Sequence, residues 1–135
     1  MLRSRKSLLL SFIGLVSIGF SQVQAEDWPT FRGASRTGVS TETGLLDSWP
    51  ESGPKLLWQA KGAGNGYSSP AVVAGRVYTM GDHDGSEFVS CFDGNSGKLL
   101  WEKQIGEAWN GHPRNPTWNG SRGTPTVDGD RVYVI

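Results

Sequence analysis

Two short patterns recur in this chain in the same order, and this recurrence constrains the fold more than any other feature of the sequence. Lys55-Leu56-Leu57-Trp58 returns letter for letter as Lys98-Leu99-Leu100-Trp101, 43 residues later. The run from Ser69 to Tyr78 aligns without gaps on the run from Thr124 to Tyr133, 55 residues later, and the two runs share Pro, Val, Arg, Val and Tyr. Two independent matches in one order indicate an internal repeat. The longer second offset places an insertion between Trp101 and Pro125.

The repeated unit consists of short apolar runs separated by turn residues, and no helical period follows residue 25. We predict four strands in one complete unit: Tyr67 to Val73, Arg76 to Met80, Glu87 to Phe92, and Lys98 to Lys103. A tight turn at Ala74-Gly75 and a polar turn over Gly81 to Gly85 separate the first three. We also predict that Lys55 to Ala60 is the fourth strand of a preceding unit, and that the next unit supplies its first two strands before Ile135.

A period near 43 residues that contains only strands and turns is typical of a β-propeller blade. The predicted fold class is therefore all-β, a β-propeller of four-stranded antiparallel blades, with about one and a half blades in residues 55–135. A blade buries its faces only against neighbouring blades, and the chain stops at Ile135 inside an apolar run. We therefore expect this chain to be the N-terminal piece of a longer protein.

The join between the third and fourth strands, Asp93-Gly94-Asn95-Ser96-Gly97, combines the residue types that make a hairpin turn. Asp93 is suited to accept a hydrogen bond from the backbone two residues on, and either Gly94 or Gly97 can take a positive φ without steric cost. Cys91, in the apolar strand before this turn, is predicted to be a small core residue, and no second cysteine is present to pair with it.

The stretch from Cys91 to Trp101 resembles the repeat motif of the pyrroloquinoline quinone (PQQ)-like propellers, A-x-D-x-x-T-G-x-x-x-W. Asp93, Gly97 and Trp101 stand in register, whereas Cys91 replaces Ala and Ser96 replaces Thr. This family includes quinoprotein alcohol dehydrogenases and the outer-membrane assembly factor BamB, and its members typically have eight blades. The opening Trp28 to Gly33 and the run Gly66 to Pro70 are also similar to exported bacterial members of the family, which are common in planctomycetes.

The resemblance implies structural roles for the motif residues Asp93, Gly97, Trp101 and Trp58. In the family, the motif tryptophan docks between blades. The physical reason is that an indole buries a large apolar area while its N–H needs only one acceptor, such as a backbone carbonyl.

Residues 1–25 have the features of a signal peptide. Arg3, Arg5 and Lys6 precede an apolar run from Leu8 to Phe20, which is too short to span a bilayer, and Val23-Gln24-Ala25 suits cleavage. We therefore expect an exported protein, periplasmic or extracellular, with no transmembrane segment after the signal is removed. A retained N-terminal anchoring helix is the alternative.

Residues 26–54 are rich in Gly, Pro, Ser and Thr and have no strand or helix period. We predict an irregular lead-in that follows the protein surface. Trp28 and Trp49, each followed by a proline, are expected to hold it against the body of the fold.

Charge argues against a nucleic-acid partner. The signal peptide contains three of the 13 basic residues and none of the 13 acidic residues, so the remainder is mildly acidic. Such a domain lacks the basic surface that binds nucleic acid or an anionic membrane.

The insertion from Gln104 to Gly123 is the predicted functional region, because long loops on a rigid scaffold often carry binding residues. We expect it to share one propeller face with the loops Gly62–Gly66 and Gly81–Gly85. The candidate ligand-binding residues, which include the Trp and Arg types enriched in binding hot spots, are Trp109, His112, Arg114, Trp118 and Arg122. Arg122 is the candidate nearest the central channel. The alternative is that the aromatic residues cover the edge of the blade.

Catalytic and metal signals are weak in this sequence. Asp82-His83-Asp84-Gly85 lacks the spacing of a calcium loop and is expected to be a polar turn, and His112 has no partner for a zinc site. We predict no catalytic residue, no metal and no resident cofactor, and a non-catalytic scaffold that binds a protein or glycan. The alternative implied by the resemblance is a PQQ- and calcium-dependent dehydrogenase of alcohols or sugars. A propeller lyase or hydrolase has no supporting residues.

Overall fold

The protein is all-β in the part of the chain that its structure, a computed structural model, describes: residues 25–109, 114 and 119–135. The signal peptide predicted for residues 1–25 lies almost wholly outside these ranges. Six strands form two antiparallel sheets, one of order β1-β2-β3-β4 and one of order β5-β6, and there is no helix among these residues. The strands are β1 (Ala71–Val73), β2 (Arg76–His83), β3 (Ser86–Asp93), β4 (Leu99–Glu107), β5 (Thr126–Asp128) and β6 (Arg131–Tyr133).

The first sheet follows from apolar alternation and from the turns between its strands. Ala71, Tyr78, Cys91 and Trp101 are cross-strand partners, so their side chains share one face of the sheet. The turn between β1 and β2 is Ala74-Gly75, as predicted, and both residues have positive φ. Two successive residues with positive φ are typical of a two-residue hairpin turn, and the twist of such a turn matches the twist of the strands that it joins.

The turn between β3 and β4 also matches its predicted chemistry. Asp93 Oδ1 accepts hydrogen bonds from the Asn95 and Ser96 amides, at 3.1 and 2.8 Å, and from the Ser96 hydroxyl at 2.7 Å. The bonds from Ser96, the hydroxyl first, hold the pKa of Asp93 below its usual value. Gly97, rather than Gly94, takes the positive φ, at 69°.

A small core joins the two sheets. Ala71, Tyr78 and Cys91 from the first sheet bury their side chains against Val127 of β5, and Cys91 is a free, fully buried thiol. Burial raises the pKa of that thiol, which suits its predicted role as a core residue. Trp101 lies at the border of this core, with its ring centroid 6.0 Å from that of Tyr78.

Trp58 packs on the turn between β3 and β4. Its indole Nε1 donates a hydrogen bond to the Gly94 carbonyl at 2.8 Å. Its ring lies over Gly97, where an added Cβ would come within 2.5 Å of Trp58 Cε3. Gly97 is therefore required both for its positive φ and because the indole leaves no room for a side chain.

Several predicted element bounds were wrong. Lys55 to Ala60 pairs with no strand among the described residues, and because its predicted partners belong to another unit, that strand stays a prediction; Trp58 of this run docks on the turn between β3 and β4. Tyr67 to Pro70 precede the first strand, which begins at Ala71. The predicted polar turn over 81–85 is mostly strand, since β2 continues to His83 and only Asp84-Gly85 turns. The strand β4 extends to Glu107, so the first residues of the predicted insertion belong to the sheet.

The lead-in was only partly predicted. Trp28 pairs with Val72 of β1 as an isolated antiparallel bridge. Trp49 is 68% exposed and does not hold the segment against the fold. Leu45 and Leu46 beside it are also exposed. The residues around Trp28, and not those around Trp49, attach the lead-in to the strands.

Candidate functional site

Three separate segments meet at one end of the first sheet: residues 62–67, the end of β2, and residues 119–122. We call their junction the seam. The Asn65 and Asp82 backbones exchange two hydrogen bonds of 2.8 Å, and the Tyr67 amide donates to the Ser121 carbonyl at 2.6 Å. Gly66 and Ser121 also pair as a parallel bridge. The seam therefore brings together the segments that lead into β1 and β5.

The seam requires direct contact between backbones. A Cβ on Gly81 would lie 1.8 Å from the Ala63 carbonyl oxygen, and one on Gly66 would lie 2.6 Å from the Ser121 carbonyl oxygen. No side chain fits such distances, so glycine is needed wherever one backbone approaches another this closely. Gly81 fixes the loop 62–66 against the end of β2, and Gly66 fixes it against Ser121, before β5.

A buried carboxylate lies beneath the seam. Asp82 is only 6% exposed, and the Ser121 hydroxyl donates to its Oδ1 at 2.6 Å. Among the described residues, Asp82 Oδ2 is buried without a hydrogen-bond partner, and so is Asn119 Oδ1. The bond from Ser121 joins β2 to the segment before β5, and it stabilises a carboxylate that would be costly to bury alone.

The exposed surface of the seam carries two aromatic rings around one guanidinium. Arg122 Cζ lies 5.9 Å from the Tyr67 ring centroid and 5.8 Å from the Trp109 ring centroid. All three residues are exposed. A guanidinium between aromatic faces is held by cation–π attraction, which restricts its orientation. Such a preorganised group suits recognition of a polar ligand, because less side-chain freedom is lost on binding.

Two of the five candidate binding residues lie together in this cluster: Trp109 and Arg122. Arg114 is exposed, and His112 and Trp118 lie outside the described residues. Tyr67 was missed by the sequence reasoning. The signal was present, however, because the 55-residue offset aligns Tyr67 with Arg122, so both residues hold the same place before an inner strand.

Within the described ranges, no group of three or more His, Cys, Asp or Glu side chains is arranged to hold a metal ion. Asp82, His83 and Asp84 do not converge on one point. Asp82 bonds to Ser121, whereas the His83 ring Nδ1 lies 3.0 Å from Asp84 Oδ2.

His83 lies between two carboxylates on the other face of the first sheet. Its Nε2 is 3.2 Å from Glu102 Oε1, which also accepts from the Ser90 hydroxyl at 3.0 Å. The ring stacks on Phe88 with 4.0 Å between centroids. A neutral imidazole has one N–H and can donate to only one carboxylate, whereas the imidazolium donates to both. The hydrogen bonds to Asp84, and then to Glu102, raise the pKa of His83 above 6.5.

The raised pKa predicts a pH-dependent contribution to stability. Because the folded pKa of His83 lies above its unfolded value, the contribution is complete below about pH 6.5 and is lost as the pH rises through the folded pKa. The difference in melting temperature between the protein and its His83→Gln variant should be largest near pH 6 and shrink towards pH 8.

An NMR titration of the histidine ring protons measures the same pKa directly, and His112 serves as an internal comparison. A His83 pKa at or below 6.5, or a melting difference that is constant with pH, would contradict the assignment of the charged form.

No protein-family model, curated protein or solved structure matches the chain at a significant level. Among the residues described, no helix has the length and apolar character needed to cross a membrane.

Proposed function

We propose that this protein is an exported β-propeller of the PQQ-like type that acts as a non-catalytic binding scaffold. Two lines of support bear on the fold. The sequence repeats with a period near 43 residues, and the first sheet is a four-stranded antiparallel meander that packs one face on a second antiparallel hairpin. Four-stranded antiparallel sheets that repeat around a central channel are the blades of a propeller.

The observation that carries the binding function is the cluster of Tyr67, Trp109 and Arg122 on the seam. Aromatic side chains offer large rigid contact area, and arginine adds directed hydrogen bonds, so these types dominate the energetics of interfaces. The glycine contacts and the bond between Ser121 and Asp82 supply a firm base beneath the cluster. On a propeller face, this arrangement suits a partner protein or a glycan.

Placing a photo-crosslinking residue in the cluster tests this proposal. Tyr67 is replaced by p-benzoylphenylalanine in the exported protein, and Tyr133, which is also exposed but lies in β6, carries the same residue in the control. We expect a crosslinked adduct from position 67 only, and mass spectrometry of the adduct separates a protein from a glycan. Equal labelling from both positions would argue against a specific face.

Arg122→Ala should weaken binding of the crosslinked partner about thirtyfold, which corresponds to the roughly 2 kcal/mol at which interface hot spots begin. The matched control is Arg131→Ala, which removes an exposed arginine whose Nε lies 3.8 Å from Asp130 Oδ1. Titration calorimetry with the purified partner compares the two variants. If the Arg122→Ala and Arg131→Ala variants bound the partner with equal affinity, Arg122 would not belong to the binding site.

The dehydrogenase alternative is a hypothesis that rests on the family resemblance. Turnover of alcohols or sugars by the protein with PQQ and calcium would overturn the scaffold proposal. A spectral titration with PQQ at micromolar protein separates the two, because a quinoprotein shifts the cofactor spectrum on binding and a scaffold does not.

A further inference from the structure

Residues 27–30 run along the inner edges of both sheets. The Trp28 amide donates to the Val72 carbonyl at 2.6 Å, and the Val72 amide donates back to the Trp28 carbonyl at 2.9 Å. One residue further on, the Pro29 carbonyl accepts from the Val127 amide at 2.8 Å. A single short segment therefore bonds to β1 of the first sheet and to β5 of the second.

Side chains fix the same segment at both ends. Asp27 Oδ1 accepts from the Ala74 amide at 2.9 Å, in the turn that follows β1. The hydroxyls of Thr30 and Thr126 lie 2.8 Å apart, so the segment is also bonded to the first residue of β5. The position of residues 27–30 is thus specified by backbone and side chains together.

The edges that this segment covers would otherwise be open. β1 and β5 are the terminal strands of their sheets, and such strands present unpaired N–H and C=O groups that can bond to another extended chain. Proteins recognise extended peptides by this mode, with main-chain bonds for affinity and side-chain contacts for selectivity. Trp28 precedes a proline, which favours the extended backbone that the edge requires.

We propose that the edges of β1 and β5 form one docking groove for an extended segment, and that residues 27–30 fill it as a latch joining the two sheets. The groove selects the pattern Asp-Trp-Pro-Thr. Asp27 and Thr30 make the side-chain bonds, and Pro29, which has no N–H, contributes only its carbonyl. This docking is independent of the seam cluster that contains Arg122.

Cleavage of the folded protein downstream of residues 27–30 tests the latch, because the latch is already docked when the chain is cut. A specific protease site is introduced after Leu46, in an exposed stretch, and the folded full-length protein is cut there. We expect the released N-terminal piece to co-elute with the body on size exclusion, and the Val72 and Val127 amides to exchange slowly with deuterium. A synthetic peptide of residues 26–33 should displace the piece.

The matched control is the same peptide with an N-methyl group on Trp28, which removes the donor to the Val72 carbonyl. It should compete about tenfold less well or worse, since a lost hydrogen bond and a steric clash act together. The latch is overturned if the cut piece elutes separately while Val72 and Val127 stay protected, or if both peptides compete equally. Separate elution together with loss of that protection also overturns the groove, because the cut piece then fails to stay docked. Arg122→Ala should leave retention unchanged, which separates this result from failure of the proposed function.

Discussion

Replacing Trp58 by alanine is expected to lower the free energy of unfolding by about 3 kcal/mol, the lower end of the range for tryptophan truncation, because part of the ring is exposed. The variant loses the indole hydrogen bond to the Gly94 carbonyl and the contact with Gly97. The turn between β3 and β4 then loses the side chain that covers it. Urea unfolding followed by circular dichroism measures the change.

Two further variants separate the hydrogen bond from the apolar contact. Trp58→Phe keeps an aromatic ring but has no N–H, so it should fall between the protein and the alanine variant. Trp49→Ala removes the same residue type from a position that is 68% exposed and should change stability by less than about 0.5 kcal/mol. If Trp58→Ala and Trp49→Ala both changed the free energy of unfolding by less than about 0.5 kcal/mol, the docking of Trp58 would not stabilise the protein.

Gly81→Ala is expected to destabilise the protein by about 3 kcal/mol, the upper end of the usual range for overpacking. The new methyl group would lie 1.8 Å from the Ala63 carbonyl oxygen, and because that atom is backbone, the loop 62–66 or the end of β2 must move. Either movement breaks the pair of hydrogen bonds between Asn65 and Asp82. The seam cluster should then lose its order, with faster amide exchange at Asn65 and Asp82.

Gly106→Ala is the matched control for this substitution. Gly106 also lies in a strand and has no positive φ, but the nearest atom to an added Cβ is the Glu87 carboxylate oxygen at 3.9 Å. Its alanine variant should be nearly neutral. A Gly81→Ala protein as stable as Gly106→Ala would show that the loop does not rest on the strand.

Local patterns predicted the first sheet well. Strands β2 and β3, the Ala74-Gly75 turn and the turn around Asp93 follow from alternation and turn chemistry, which depend only on neighbours in sequence. The all-β class followed from the repeat. These features needed no knowledge of distant contacts.

The misses involve long-range partners. Asp82 and His83 read as turn residues because they are polar. They belong to a strand because Ser121 and Asn65 form hydrogen bonds with Asp82, and because the Glu102 carboxylate lies 3.2 Å from the His83 ring. Such compensation comes from residues distant in the sequence, so a local pattern cannot show it.

The bonds of the latch have a consequence for the order of folding. Thr30 and Thr126 are separated by 96 positions along the chain, whereas the hairpins of the first sheet close over a few residues. Closing a longer loop costs more entropy and contributes to slower folding. The segment before Phe31 cannot find its full set of partners until β5 is also present. The earliest described residues to be made should thus be among the last to reach their native contacts.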